Sequence, residues 1–346
     1  MTESGRRKTR VVSMAELDSV VEALDSGAVV ALPTETVYGL AARADLPEAV
    51  GSIFQAKQRP ADNPLIVHAA DPDSALSLGR AVPAYAERLA ARFWPGPLTL
   101  VLKSAREWPW VQAGHGTIAV RVPEPRYLRA LIRRVGPLAA PSANRSGRPS
   151  PTTAEHCVHD LGGRIPLIVD GGPSPGGMES TVVDCTGAKP VLLRPGPVTA
   201  QDLEAVVRGG AAQAMEGRAG VTLEASAGGS VSPGVTGPGP PMSPGTRHPH
   251  YRPRARVVLV DDLSALEDDL STANVQQAMT IGPVLTAAHH PRRWDALEEL
   301  ARNLYAWFRE ADDLGVPVIY VERVPAVGLG AAVMNRLTKA AAPERR

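Results

Sequence analysis

The residues of this chain best suited to chemistry are short polar clusters set beside apolar runs. The first is Pro33-Thr34-Glu35-Thr36-Val37-Tyr38-Gly39-Leu40, which ends in a glycine turn and follows an apolar stretch at residues 28–32 that reads as a short buried strand. Hydroxyls, a carboxylate and loop amides gathered after a strand suit a polar ligand, because donors and acceptors converge there. An ordinary exposed loop accounts for these eight residues equally well, so the argument rests on the clusters that follow. Lys57 and Arg59 stand one residue apart in QAKQRP (55–60), where Pro60 ends a helix and sends both side chains toward a loop. They suit a phosphate or carboxylate clamp, and they equally suit the negative end of a helix dipole. NPLIVH (63–68) adds Asn63 and places His68 at a strand end, where its role depends on its neighbours.

SANRSG (142–147) follows another apolar strand and leads to a helix N-cap at Thr152 or Thr153. A hydroxyl, an amide and a glycine in such a turn suit backbone-mediated phosphate binding, although the same residues are plain turn formers. Glu179-Ser180-Thr181 supplies further hydroxyls after a glycine-rich loop at 171–177 that reads as mobile, and Arg194-Pro195-Gly196 ends one more strand with a cation. Five clusters, each beside a strand, are hard to explain as independent accidents. There is no GxxxxGK[ST] loop, GxSxG elbow, HExxH helix or Cys–His motif. The chemistry expected is therefore substrate positioning and charge neutralisation, without a covalent enzyme intermediate.

The elements that must hold these clusters alternate. Ser13 with Glu16 reads as a capping box, apolar positions recur at Val20, Val21 and Leu24, and Gly27 stops that helix. Apolar runs at 64–68, 98–103, 117–122, 137–140, 167–170, 181–184 and 191–193 alternate with helical patterns at 48–57, 84–93, 126–134, 154–161 and 200–207. Seven or eight strands with interspersed helices predict an α/β domain on a large, mixed, twisted sheet over residues 11–210. Residues 211–253 turn rich in Gly, Pro, Ser and Ala, a composition that cannot offset its ordering entropy, and read as an extended or disordered linker. Residues 254–346 carry apolar runs at 256–260, 284–287 and 316–320, an amphipathic helix at 294–311 and a last helix after Gly330, the pattern of a small βαβ domain.

The chain has 346 residues, with 37 basic and 36 acidic side chains and a net charge of +1, so it lacks a global signature for nucleic acid or membrane. Two cysteines, Cys157 and Cys185, without a CxxC pair argue against a disulfide framework or a thiolate zinc site and fit a reducing cytoplasm. No apolar core follows the basic N-terminal residues, and no apolar stretch is long enough to span a bilayer. The expectation is a soluble cytoplasmic protein.

In order along the chain, PTETVYGL (33–40), KQRP (57–60), NPLIVH (63–68), SANRSG (142–147), STVVD (180–184) and RPG (194–196) resemble the threonylcarbamoyl-AMP synthase family, whose catalytic module is the YrdC-like domain. SPGTRHPHYRP (243–253) is similar to the linker motif of that family's long, two-domain form, and VGLGAAVMNRL (327–337) to its closing C-terminal motif. The resemblance implies a YrdC-like twisted mixed sheet linked to a small Rossmann-like βαβ domain. It implies a nucleotidyltransferase, L-threonylcarbamoyladenylate synthase, which converts L-threonine, bicarbonate or CO2, and ATP with Mg2+ to threonylcarbamoyl-AMP and pyrophosphate. The product would pass to other proteins that modify the adenosine beside the anticodon of tRNAs reading ANN codons.

By motif matching, the resemblance puts Thr36, His68, Arg121, Ser142 and Ser180 at the threonine site. It puts Arg59, Asn63, Thr117, Asn144, Thr152, Arg194 and Tyr251 at the ATP site, with Lys57 and Arg59 neutralising carbamate and phosphate charge. Tyr251 would come from the linker, folded back as a lid. From the residues alone, Arg121 and Thr117 remain open to being ordinary strand residues and Tyr251 a packing aromatic, while Thr34 and Tyr38 are close enough to exchange roles with Thr36. Thr246 departs from the family's usual apolar residue. The metal ligands and the second domain's partner are not legible. A double-stranded RNA-binding module, with possible RNA contact and no such catalysis, is the alternative; carbamoyl transfer in hydrogenase maturation is a second, against which stands the absence of acylphosphatase-like and zinc-finger segments.

Overall fold

A computed structural model describes residues 8–212, 224–225, 251–266, 277–286, 288 and 290–342. The first strand, β1 (Arg10–Ser13), ends in the expected capping box, with Ser13 Oγ accepting from Ala15 N (3.3 Å) and Ser13 N donating to Glu16 Oε2 (3.0 Å). The capped turn is 3-10 over Met14–Glu16 and continues into α1 (Leu17–Asp25). Gly27, at φ 81°, then takes the left-handed conformation that stops a helix.

The described strands that follow are β2 (Val30–Leu32), β3 (Gly39–Arg43), β4 (Ile66–His68), β5 (Leu98–Lys103), β6 (Thr117–Arg121), β7 (Leu138–Ala139), β8 (Leu167–Asp170), β9 (Thr181–Asp184), β10 (Val191–Arg194) and β11 (Glu224–Ala225). They form one mixed sheet in the order β1-β8-β2-β3-β7-β4-β6-β5-β9-β10-β11. Between them lie α2 (Pro47–Lys57), α3 (Pro72–Leu76), α4 (Ala84–Phe93), α5 (Pro109–Gln112), α6 (Arg126–Val135), α7 (Ala154–Leu161) and α8 (Ala200–Ala212).

Strand side chains alternate between faces, and that alternation builds the site. Val67, Leu98, Leu100, Leu102, Ile118, Val120 and Val183 point to a core shared with α2, α4, α7 and α8. The residues between them, including Ile66, Val101, Ala119 and Val182, form a small apolar patch on the opposite face. His68 and Arg121 share that face, because β4 and β6 run parallel with these two residues in register.

The second sheet contains β12 (Arg256–Val260), β13 (Met279–Gly282), β14 (His290–Arg293) and β15 (Val318–Glu322). Its order is β12-β15-β13-β14, all parallel, with α9 (Leu297–Leu314) and α10 (Leu329–Ala341).

Several expectations are corrected. Gly39 does not end the first cluster in a turn; it opens β3, which returns antiparallel to β2. The strand expected at 284–287 lies elsewhere: Pro283 follows the end of β13, and Val284 and Leu285 are more than half exposed (54% and 58%). The pairing residues are the fully buried β13 and the polar β14, whose Pro291 is tolerable in an edge strand. Part of the segment read as linker pairs as β11 beside β10, while its Ser243–His250 motif, including Thr246, lies outside the described residues.

Candidate active site

Backbone bonds first tie the polar clusters to one another. Leu40 N donates to Pro141 O (2.7 Å) and Ala143 N to Tyr38 O (2.8 Å), joining the PTETVYGL and SANRSG segments through a bridge at Gly39 and Ser142. Thr34 Oγ1 accepts from Thr36 N (3.1 Å) and Val37 N (3.2 Å), so its hydroxyl closes the turn. Tyr38 OH donates to Gly172 O (2.7 Å), away from this work. The 171–177 loop, read as mobile, is held at several points. Ser174 N donates to Thr152 O (2.8 Å), Gly176 N to Glu35 O (2.8 Å), and Arg302 Nε to Pro175 O (3.1 Å). A Cβ on Gly177 would lie 2.1 Å from Arg302 O, so only glycine fits there.

These ties frame a cleft whose empty space, open solvent at its mouth included, is about 610 Å³. It is lined by Thr34, Thr36, Val37, Gly39, Arg59, Ile66, His68, Arg121, Ala140, Pro141, Ser142, Glu179, Ser180, Arg194 and Tyr251. Residues from both groups suggested by the resemblance therefore meet on one wall. Arg121 donates to Thr36 Oγ1 (3.1 Å), Gly96 O (3.2 Å) and Glu35 Oε1 (2.5 Å), so it is fixed on three sides. His68 is buried; its desolvation, then the charge of Arg121, lowers its pKa from 6.5 to about 3, so the imidazole is neutral at pH 7. Its Nδ1 has no hydrogen-bond partner among the described residues, which suits a group awaiting a ligand. Ser180 Oγ shares a hydrogen bond with Thr99 Oγ1 (2.8 Å).

Two other cations face the same space. Arg59 donates to Asn63 O (3.2 Å) and Pro64 O (2.9 Å). Arg194 donates through Nε (3.1 Å) and Nη2 (2.9 Å) to Ser180 O. Burial lowers both pKa values, Arg59 to about 10, which leaves Arg59 charged at neutral pH. Gly196 is forced by this turn, since a Cβ there would sit 2.5 Å from Thr181 N.

Other expected residues lie behind this wall. The clamp reading put Lys57 against substrate charges; instead it is buried and absent from the cavity lining. Its ammonium donates to Ser142 O (2.5 Å), Asn144 O (2.6 Å) and Asn144 Oδ1 (3.5 Å). Lys57 is the last residue of the helix and is buried, and a left-handed Gln58 at φ 53° then redirects the chain before Arg59, which lines the cavity. Burial, then Arg59's charge, holds the Lys57 pKa well below its ordinary value. Asn144 accepts from Ser142 Oγ (2.5 Å) and donates to Arg145 O (2.8 Å) and Arg148 O (2.9 Å), so it shapes the loop. Thr152 is buried against His156, Asn63 is buried beside Arg59's turn, and Thr117 lies at the far end of β6 on the face of Arg121. None of these three lines the cavity.

Glu179, which the reading of the residues passed over, is both a lining residue and a junction. It accepts from Ser150 Oγ (2.5 Å), Tyr305 OH (2.9 Å) and Arg336 Nε (3.1 Å). Burial works against its charge, but Arg336, Arg194 and the Ser150 bond hold its pKa below the ordinary range. Its only sequence signal was a carboxylate beside Ser180; two of its three partners are more than 120 positions away. Among the described residues, no three His, Cys, Asp or Glu side chains gather as a metal site, and no helix is long and apolar enough to cross a membrane.

An uncrowded sheet face carrying hydroxyls, a neutral imidazole and buried arginines defines a ligand-gathering α/β protein of the YrdC-like kind. The family model for Sua5, YciO and YrdC, described as "Telomere recombination", matches residues 22–196, and a second, described as "Threonylcarbamoyl-AMP synthase, C-terminal domain", matches residues 198–342. The chain belongs to this family, in its two-domain form. It is similar to the threonylcarbamoyl-AMP synthase of Bacillus subtilis strain 168, at 42% identity over 90% of this chain and 89% of that protein. It is similar to that of Pyrococcus abyssi, at 41% identity over 91% and 90%. The structure of Pyrococcus abyssi Sua5 complexed with L-threonine superposes with a TM-score of 0.84, at 38% identity, covering 96% of this chain and 98% of that one.

Proposed function

We propose that this protein is an L-threonylcarbamoyladenylate synthase, a nucleotidyltransferase acting on L-threonine, bicarbonate or CO2, and ATP. The observation that carries this reading is the convergence of Thr36, Arg59, His68, Arg121, Ser142, Ser180, Arg194 and Tyr251 on one cavity. Relatives bearing that enzyme's name match nearly the whole chain.

The neutral threonine amine attacks the carbon of CO2, whose C=O π pair moves onto oxygen, and gives up one proton to leave a carbamate. From bicarbonate the carbon–hydroxyl bond breaks instead, and the hydroxide leaves with that proton as water. A carbamate oxygen then attacks the α-phosphorus of ATP, the α–β bridging P–O bond breaks, and pyrophosphate departs with its electron pair. Arg121 offers a fixed charge for the amino acid's carboxylate, with Thr36, Ser142 and Ser180 as hydroxyl partners. His68, being neutral, adds no second cation there and acts as a hydrogen-bonding group. Arg59 and Arg194 offset the charge of the carbamate and phosphates, the term that dominates such a transfer. Holding three reactants together contributes up to roughly 7–11 kcal/mol in favourable cases. Lys57, Asn144, Asn63 and Thr152 act as positioning residues, and Thr117 extends the same face toward the nucleotide. Among the described residues, Glu179 is the one carboxylate on the cavity lining and is committed to Arg336, Tyr305 and Ser150, so Mg2+ would be carried by the ATP phosphates, where it would supply charge neutralisation. The product goes to tRNA-modifying proteins in the cytoplasm.

Pyrophosphate release that requires ATP, threonine and bicarbonate together tests this reading. Salt-sensitive retention of RNA without such release would replace it with the RNA-binding alternative.

A further inference from the structure

Tyr251 reaches the cavity from beyond the first sheet, at a positive φ of 69° that a non-glycine residue holds only when its surroundings compensate. The compensation comes largely from the second half of the chain. Tyr305, on α9, stacks on the Tyr251 ring with centroids 5.5 Å apart and planes 25° from parallel. Arg336 and Lys339, on α10, place their charges 5.4 and 5.8 Å from the same ring's centroid. Tyr305 and Arg336 also donate to Glu179, and Arg336 Nη1 donates to Pro195 O (2.6 Å), beside Arg194. Arg252 N then donates to Gly147 O (2.9 Å), tying the chain after Tyr251 to the SANRSG loop. Tyr305 and Arg336 are fully buried, so neither can touch substrate from solvent.

We propose that Tyr305 and Arg336 are positioning residues for the nucleotide, setting the Tyr251 ring and the Glu179 loop so that ATP binding and docking of the second half are coupled. This rests on the assignment of Tyr251 to the ATP site. The coupling is reciprocal: ATP strengthens docking by the factor by which docking strengthens ATP binding. It gives the second half a part in the reaction without placing any of its side chains on a reacting atom.

The test combines Tyr305→Leu, Tyr305→Phe, Tyr251→Ala and the Tyr251→Ala/Tyr305→Leu double variant, all in the full chain. KM for ATP and for threonine are read from pyrophosphate release, and ATP affinity from calorimetry. Loss of the stack predicts a rise in the ATP KM of roughly five- to tenfold in Tyr305→Leu, the size of an aromatic pair's contribution. The threonine KM should stay within about twofold, since a coupling of that size acts only on the ligand that Tyr251 meets. Tyr305→Phe keeps the ring and should recover most of the loss, and the double variant should be no worse than Tyr251→Ala alone. Equal shifts in both KM values, an unchanged ATP KM, or full additivity in the double variant would overturn the proposal. Tyr305→Met carries the same comparison should the leucine variant not fold. If the wild type binds ATP but releases no pyrophosphate with threonine and bicarbonate, the assigned activity fails, and the calorimetric comparison still decides the positioning role.

Discussion

Arg59 and Arg194 on the cavity wall are held by carbonyls of Asn63, Pro64 and Ser180, whereas Arg309 and Arg336 at the junction with the second half are held by carboxylates. Arg309 Nη2 donates to Asp160 Oδ2 (2.8 Å) and Arg336 Nε to Glu179 Oε2 (3.1 Å). A carbonyl fixes the geometry of a guanidinium without cancelling its charge, and Arg194 in addition feels the Glu179 carboxylate without a direct ion pair to it. A carboxylate consumes that charge and turns the pair into a structural tie. Arg121 stands between the two regimes, fixed by Glu35 and by the carbonyl of Gly96. Asp160 shows the second regime at full strength: burial opposes its charge, yet Arg309, Arg148 and His159 hold its pKa at about 2. The junction also has an apolar component, because Val37 and Met178 of the first half pack into the core of the second.

The contrast can be broken at either end. Arg336→Met should cost about 3–5 kcal/mol of stability, because it strands a buried carboxylate, and the added change Glu179→Gln should recover much of the thermal midpoint. No recovery would mean that the pair does not act as a unit. Arg59→Ala should leave the midpoint within a few degrees while lowering turnover by about 10²–10³-fold, the usual cost of removing a charge-stabilising donor. A near-normal rate in that variant would place Arg59 in the structural class instead. Lys57→Ala should differ from both, losing about 1–3 kcal/mol of stability because the carbonyls of Ser142 and Asn144 lose their donor, and losing activity in step. An inactive but fully stable Lys57→Ala protein would restore this residue to direct contact with substrate.

The pH dependence sharpens the same comparison at lower amplitude. His68 has a folded pKa of about 3 and His156 of about 4, both below the ordinary 6.5 because burial disfavours the charged ring. The unfolded chain therefore binds more protons between those values, and stability falls as pH drops below about 6.5. Thermal midpoints from pH 7 to pH 4.5 should decline less steeply in His68→Asn than in the wild type, with the remaining slope due in part to His156. This window lies above the range in which Asp160 loses its contribution, from its ordinary 3.8 down to about 2. Identical slopes would show that His68 is not desolvated. Least affected should be Arg302→Ala, which removes one exposed bond to Pro175 O and should shift stability by under about 1 kcal/mol.

Most of the first sheet was legible because its strands alternate apolar runs with polar ends: β5, β8, β9, α4 and α7 fall where the pattern put them. The misses have physical causes. The β3 strand begins inside the polar cluster, β1 is short and half exposed, and β14 carries no apolar period at all. In the site, the polar clusters beside strands already held Thr36, His68, Ser142, Ser180 and Arg194, which the structure brings to one cavity, whereas Arg121 came only with the family resemblance. Cluster position did not distinguish Lys57 from Arg59, because two residues separated by one position look alike until the helix ends and the left-handed Gln58 between them redirects the chain.

Residue type and order by themselves determined the α/β alternation, the caps and the set of polar clusters, since these depend on local periodicity and turn chemistry. Only the tertiary structure decided which cations keep their charge for a ligand and which lose it to a carboxylate. Glu179 meets Tyr305 and Arg336 across 126 and 157 positions, and Asp160 meets Arg309 across 149. Pairings at that separation are set by the packing of two cores, which no local pattern encodes.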